Sequence, residues 1–308
     1  MAHTLAYVAL TTRDVAALSR FCERHLGLAR TDCRGPGGKV PVFALGASAL
    51  ALFEPGDPFV GSGETTGVHH IAIAAADPAA AARDHDLPAL PGKASAGLNG
   101  TRQLVIDPAA TGGVGTRFCE PLDLAQSDAD WIERIDHIGV ASADNASMLN
   151  LFCGRLGFAL ESRQTDMEVR IPVESFTSDK YGVVYHTRPP LPAGGLRVDF
   201  VTVGDCELEF LESFDPGQGA ERPPADRAGN TKGDQGAIAR YIEKRGPGLH
   251  HLALKTRDID ALLSRLEAAG YRLIDRVGRP GSRRAQIGFV HPTALGGVLL
   301  HFVQRQDL

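Results

Sequence analysis

The chain reads as an α+β protein of four βαβββ units taken in two pairs, and three observations predict it. Two stretches repeat one another: Gly67-Val68-His69-His70-Ile71-Ala72-Ile73 and Gly248-Leu249-His250-His251-Leu252-Ala253-Leu254 each open an apolar run with paired histidines. A second repeat, Phe21-Cys22 before Leu26-Gly27 and Phe152-Cys153 before Leu156-Gly157, falls at the same place in each half, as internal duplication would leave it. The 35 glycines, spread among short apolar runs, suit many strands joined by tight turns.

In the first unit, residues 4–11 read as a strand, and Asp14 can cap a helix whose Val15, Leu18, Phe21 and Cys22 recur at helical spacing. Gly27 ends that helix. Apolar runs at Val40–Leu45 and Ala49–Phe53 follow before Glu54-Pro55-Gly56 breaks the pattern. The second unit starts at the first histidine pair, begins a helix at Asp77-Pro78 and closes with strands near Gln103–Ile106 and Gly115–Cys119. Polar residues 123–131 read as a linker between an N-terminal domain, 1–122, and a C-terminal domain, 132–308.

The third unit opens at Ile135–Val140, and its helix carries Met148–Cys153. Strands are expected at Val169–Val173, Tyr181–His186, Leu196–Val203 and Glu207–Leu211. Phe214–Gln235 lacks periodicity and reads as a surface loop that can serve as a lid. A short helix, Ala237–Lys244, leads into the fourth unit, whose amphipathic helix Ile259–Ala269 precedes strands at Ala285–Val290 and Val298–Val303.

The 308 residues are enough for two domains with their own cores, and 43% hydrophobic with 22% charged residues is a globular composition. No apolar run approaches the roughly 18 residues of a membrane span, and Met1–Leu10 lacks a basic start before an apolar block, so a cytoplasmic protein is expected. A net charge of −5 argues against a nucleic-acid face. The expected partner is a small-molecule substrate; a homo-oligomer is left open. Five cysteines without C-x-x-C spacing read as reduced thiols, with Cys22 and Cys153 as small buried helix residues.

Gly246-Pro-Gly248-Leu-His-His-Leu-Ala-Leu-Lys255, then Phe289-Val-His-Pro292, then Gly296-Gly-Val-Leu-Leu-His301-Phe-Val-Gln304 resemble the methylmalonyl-CoA epimerase signature. Over nearly its whole length the chain resembles the vicinal oxygen chelate superfamily, which includes glyoxalase I, that epimerase, the extradiol dioxygenases and 4-hydroxyphenylpyruvate dioxygenase. Its two-domain layout is similar to the dioxygenases. The resemblance implies cupped mixed sheets and one divalent ion (Fe, Mn, Co, Ni or Zn) held by the first and last strands of two units. Carried over, the ligands are His137, Glu209, His251 and His301; the family keeps a glutamate where His301 stands. In the N-terminal half the same slots are Tyr7, Ala51, His70 and Arg117. Alanine offers no donor and arginine repels a cation, so that half is expected to be structural.

Imidazole and carboxylate suit such ions, and strand alternation places His137 on one face with Ile135 and Gly139, and Glu209 with Glu207. Because His301 is a poorer base than glutamate, Glu207 or Asp199 is expected to move the proton. His250 reads as a hydrogen-bonded flank, His291 as a turn residue and His186 as surface. The loop Arg279–Arg284, with Ser282 and Arg283, is expected to hold a substrate carboxylate or phosphate, or else to be a solvated turn. The implied function is a metal-dependent epimerase, isomerase or lyase that stabilises an enolate of a small carbonyl, carboxylate or acyl-thioester substrate, in the manner of the glyoxalases. The alternative is a non-haem Fe(II) dioxygenase, and a third is a metal-free binding protein.

Overall fold

A computed structural model describes residues 3–91, 96–125, 129–214 and 232–305. In chain order the strands and helices are β1 (Leu5–Thr11), α1 (Val15–His25), β2 (Arg30–Gly35), β3 (Gly38–Leu45), β4 (Ser48–Phe53), β5 (Gly67–Ala74), α2 (Pro78–Asp84), β6 (Gln103–Val105) and β7 (Thr116–Cys119). There follow β8 (Ile132–Ala141), α3 (Asn145–Leu149), β9 (Ala159–Arg170), β10 (Val173–Ser178), β11 (Gly182–Thr187), β12 (Leu191–Val203) and β13 (Cys206–Phe214). The chain closes with α4 (Lys232–Arg245), β14 (Gly248–Thr256), α5 (Ile259–Ala268), β15 (Arg279–Pro280), β16 (Gln286–Val290) and β17 (Leu300–Gln304).

The strands form two curled mixed sheets. The first has seven strands in the order β2-β3-β4-β1-β5-β7-β6, and the second has eight in the order β15-β16-β17-β14-β8-β13-β12-β9. In each, two units meet through an antiparallel pair of opening strands, β1 with β5 and β8 with β14. The closing strands lie parallel outside them, β4 and β7 in one sheet, β13 and β17 in the other. Asp14, Asp77, Asp144 and Asp258 each cap a helix by accepting from backbone N–H groups, which fixes where α1, α2, α3 and α5 begin.

The largest apolar core is shared by the two halves: Leu18 and Phe21 of α1, Ala81 and Ala82 of α2, Phe152 after α3, and Leu262, Leu263 and Leu266 of α5 belong to one cluster. The helical faces of both sheets therefore pack on each other, leaving the concave faces open. Phe21 and Tyr271, from opposite halves, stack edge-on at 5.0 Å.

Several strands were not anticipated from the sequence, β2, β9 and the two-residue β15 among them. β2 and β9 lie at sheet edges and carry charged residues such as Arg30, Asp32, Glu161 and Arg163, because an edge strand needs no apolar alternation. The strand expected at Val169–Val173 is instead the end of β9 and the start of β10, either side of Ile171-Pro172. β10 and β11 form a separate two-stranded hairpin with exposed Phe176, Tyr181 and Tyr185. His186 is exposed on it. Of the expected lid, residues 215–231 lie outside the described residues.

Candidate metal centre

β8 and β14 do not alternate cleanly, and that irregularity builds the site. Leu254 pairs with Ile135 and Ala253 with His137, so Asp136 is an extra residue in β8; Leu249 pairs with Val140 and His251 with Gly139, so His250 is an extra residue in β14. The bulge at Asp136 turns both Asp136 and His137 toward the concave cavity while Ile135 joins the apolar core, which corrects the expectation that Ile135 shares the face of His137. Likewise His250 does not point away from His251; both line the cavity.

His137, His251 and His301 come together here. Each offers a ring nitrogen, the three lie within 4.8 Å of one another, and all three side chains are buried. Glu209 stands beside this group, its Oε2 3.4 Å from His137 Nε2 and 3.3 Å from His251 Nε2. Gly139 makes the arrangement spatially feasible: a Cβ there would clash severely with three atoms of the His251 imidazole.

Electrostatics tie the four together. Burial opposes the charged form of His137, but Glu209 and the bond to Asp136 outweigh it and hold its pKa above the ordinary imidazole value. Burial likewise opposes ionisation of Glu209, yet His137 and His251 hold its carboxyl below the usual range. For His301 burial dominates, and with neighbouring imidazoles it pushes the pKa well below normal, so this ring is neutral. Its Nδ1 is buried without a hydrogen-bond partner. An orphaned buried nitrogen beside two more imidazoles and a carboxylate fits a divalent transition metal, whose preferred donors are these.

The surroundings orient the donors. His137 Nδ1 donates to Asp136 Oδ1 at 2.7 Å, the carboxylate–histidine pairing usual behind metal ligands. His250 and His251 share a hydrogen bond between their Nδ1 atoms at 3.0 Å, with Tyr241 edge-on to His250 at 4.9 Å. Phe289 packs 4.3 Å from the ring of His301. Although burial disfavours its charge, the bond from His137 and the Arg305 and Arg283 guanidiniums keep Asp136 far below the ordinary carboxylate range.

The residues expected to move protons or hold substrate are placed differently. Asp199 is turned toward the helices: Asn145 Nδ2 donates to it at 2.7 Å and Arg163 Nε at 3.0 Å, which removes it as the expected base. Glu207 is locked between Arg283 and Arg305, both at 3.4 Å, so it too is no free base. Arg283 and Ser282 do line the cavity. Arg283 is already occupied, bonded to Asp136, Glu161 and Glu207 and stacked 3.7 Å from the Phe200 ring. His291 accepts from Thr293 N at 3.2 Å and shapes the turn at Pro292.

Sequence reasoning missed Asp166 on β9, a carboxylate that lines the cavity and, among the described residues, accepts from the Gln164 amide alone, at 3.0 and 3.1 Å. Burial first, and then the charge of Glu209, raises its pKa. No local motif marks it; its signal is spatial, since pairing with Leu196 brings β9 over the cup. The cavity measures about 190 Å³.

Residues 136–289 match the profile of the Glyoxalase/Bleomycin resistance protein/Dioxygenase superfamily, half of the chain, and the chain belongs to that superfamily. It is similar to the uncharacterized protein YqjC of Bacillus subtilis, 24% identical over 173 residues that cover 56% of this chain and 93% of that protein. It is also similar to the mitochondrial methylmalonyl-CoA epimerase of Bos taurus, 26% identical over 116 residues, 37% of this chain. The match spans 56% of that epimerase, little more than half its length. A 4-hydroxymandelate synthase from Streptomyces coelicolor shares the fold across 99% of this chain and 93% of its own, with a TM-score of 0.59 at 16% identity.

Proposed function

We propose that the C-terminal half, residues 132–308, is a metal-dependent enzyme that removes and returns a proton next to a carbonyl, acting as an epimerase or isomerase on a small acyl substrate, and that residues 1–122 carry no metal. The observation that carries this reading is the convergence of His137, His251 and His301 beside Glu209, with the His301 Nδ1 buried and unpartnered. These four residues would hold one divalent ion, which as a Lewis acid supplies stabilisation of negative charge on a bound carbonyl oxygen. Similarity to methylmalonyl-CoA epimerases supports an acyl-thioester substrate. A cavity of about 190 Å³ receives only the acyl end of such a molecule.

His301 is neutral and buried, so it does not shuttle protons as a displaced carboxylate would. Asp166 is the better base: it faces the cavity, is held by a neutral amide rather than a cation, and its raised pKa brings its basicity closer to the task. Phe200 and Phe289 supply apolar wall to the cavity.

Metal analysis with a proton-exchange assay tests this. The purified protein is expected to carry a stoichiometric divalent metal and to wash deuterium into the carbon next to the thioester of methylmalonyl-CoA or a related branched acyl thioester, in air and without it; Asp166→Asn should lose the exchange while keeping the metal. A metal-free protein after metal-replete purification sinks the reading. A second reading rests on His137, His251 and Glu209, which also form the two-histidine, one-carboxylate set of Fe(II) oxygenases. Bound iron with turnover that stops under anaerobic conditions would select it.

A further inference from the structure

The N-terminal cup encloses a second cavity, of about 740 Å³, lined by His69, His70 and Arg117 at its depth and by Lys244 and Arg245 of α4. Its volume lies within the ordinary ~300–1,000 Å³ range of ligand sites. It is separate from the metal cavity: Ile238 of α4 faces that one, whereas Tyr241, one turn on, faces this one.

Arg117 is 5% exposed. Its guanidinium donates to the Phe59 carbonyl at 2.6 Å and to Gln103 Oε1 at 3.2 Å, and it lies 4.4 Å from the Phe59 ring centroid. Tyr7 is a further neighbour of the guanidinium. All of these partners are neutral, and among the described residues no carboxylate meets it. Lys255, buried to the same 5%, has Glu133 at 3.2 Å. A buried charge without a counter-charge is costly, and the cost is offset when the cavity it faces takes up an anion.

The rest of the lining agrees. The described lining residues include no aspartate or glutamate. Lys244 and Arg245 are exposed at the last turn of α4. Burial pulls the pKa of His69 down to about 4 and that of His70 well below the ordinary value, so both rings are neutral hydrogen-bonding groups that neither repel nor compete with an anion.

We propose that this cavity is an anion-binding site for a small molecule bearing a carboxylate or phosphate group, with Arg117 as its deep counter-charge and Lys244 and Arg245 at its mouth. The slot that matches a metal donor in the other cup has become a cation, and the ligand changes sign with it.

Calorimetric titration of the full chain with inorganic phosphate and, separately, malonate, at ionic strength held constant with sodium chloride, tests the proposal. Saturable binding is expected, and the stronger of the two anions identifies the headgroup. Arg117→Gln should weaken it at least ~10-fold, the value of one lost charge-assisted hydrogen bond. Should that variant fold poorly, the exposed pair Lys244→Gln/Arg245→Gln, expected to weaken binding ~3–10-fold with the fold intact, carries the test. Absence of saturable binding overturns the proposal. So does binding that persists unchanged in the folded variants, which is what an anion seated on the C-terminal metal would give.

Discussion

The two cups of this chain are the same backbone device filled with different chemistry. Strand register aligns them position by position: Ala253 pairs with His137 and His301, as Ala72 pairs with Tyr7 and Arg117. Gly139 pairs with His251 and Glu209, as Ala9 pairs with His70 and Ala51. Even the bulges recur, with Ala6 where Asp136 stands and His69 where His250 stands. What separates a candidate metal centre from a cavity with a buried arginine is therefore five positions on a shared frame. The frame supplies convergence; the side chains decide what converges.

The largest expected effect breaks the comparison at its shared histidine. His251→Ala should abolish stoichiometric metal in the purified chain, a loss beyond the ~10–100-fold that removal of an outer partner costs, whereas His70→Ala should leave metal content unchanged. Elemental analysis of both variants checks it, and equal metal loss in both would erase the assigned asymmetry. Next comes the position beneath the ring. Gly139→Ala drives a methyl against the His251 ring and should weaken metal binding on the order of 10–100-fold and cost about 1–3 kcal/mol of stability. Ala9→Gly, its counterpart, should cost about 1 kcal/mol and gain no metal. Competition with a chelator and urea melts read both.

The four-unit pattern was legible because buried strands and capped helices leave apolar periods and Asp caps in the sequence, and the four candidate donors could be located because the resemblance to the superfamily carries its ligand slots onto the opening and closing strands of two units. Bulges were not legible. Alternation assigned Ile135 to the face of His137 and sent His250 away from His251, since an extra residue changes parity without altering composition. Nor was the fate of Glu207 and Asp199 legible: whether a strand carboxylate is a free base depends on Arg283, Arg305, Asn145 and Arg163, which arrive from elsewhere in the sequence. Asp166 was hidden in an edge strand whose polar residues look solvated.

A smaller effect sharpens the comparison at the first bulge. Asp136→Asn keeps the shape of the side chain but loses the charge that orients His137, and should weaken metal binding about 10-fold, with the fold retained through Glu207 on the same two arginines. Ala6, its counterpart, has no carboxylate to lose. Chelator competition on Asp136→Asn, which should bind more tightly than His251→Ala and more weakly than the parent, places Asp136 behind the ligand set; parity with the parent would reduce it to an ion-pair residue.

The smallest effect comes from the second bulge, where His69 is the cleaner probe because no candidate metal donor set surrounds it. Its folded pKa, about 4, lies below the ordinary 6.5 because burial first, and then Arg117, oppose the imidazolium. The unfolded chain therefore takes up this proton first. Stability from keeping His69 neutral is complete above about pH 6.5 and is lost as pH falls from there toward about 4. Partial exposure discounts the amount, leaving about 2 kcal/mol across that window. Urea unfolding in chloride-based buffers free of phosphate and carboxylates, at about pH 7 and about pH 4.5, should show His69→Gln losing less stability on acidification than the parent by that margin. Identical losses in the two proteins would mean that acid unfolds the chain through other groups, and the N-terminal bulge would then be a matter of shape alone.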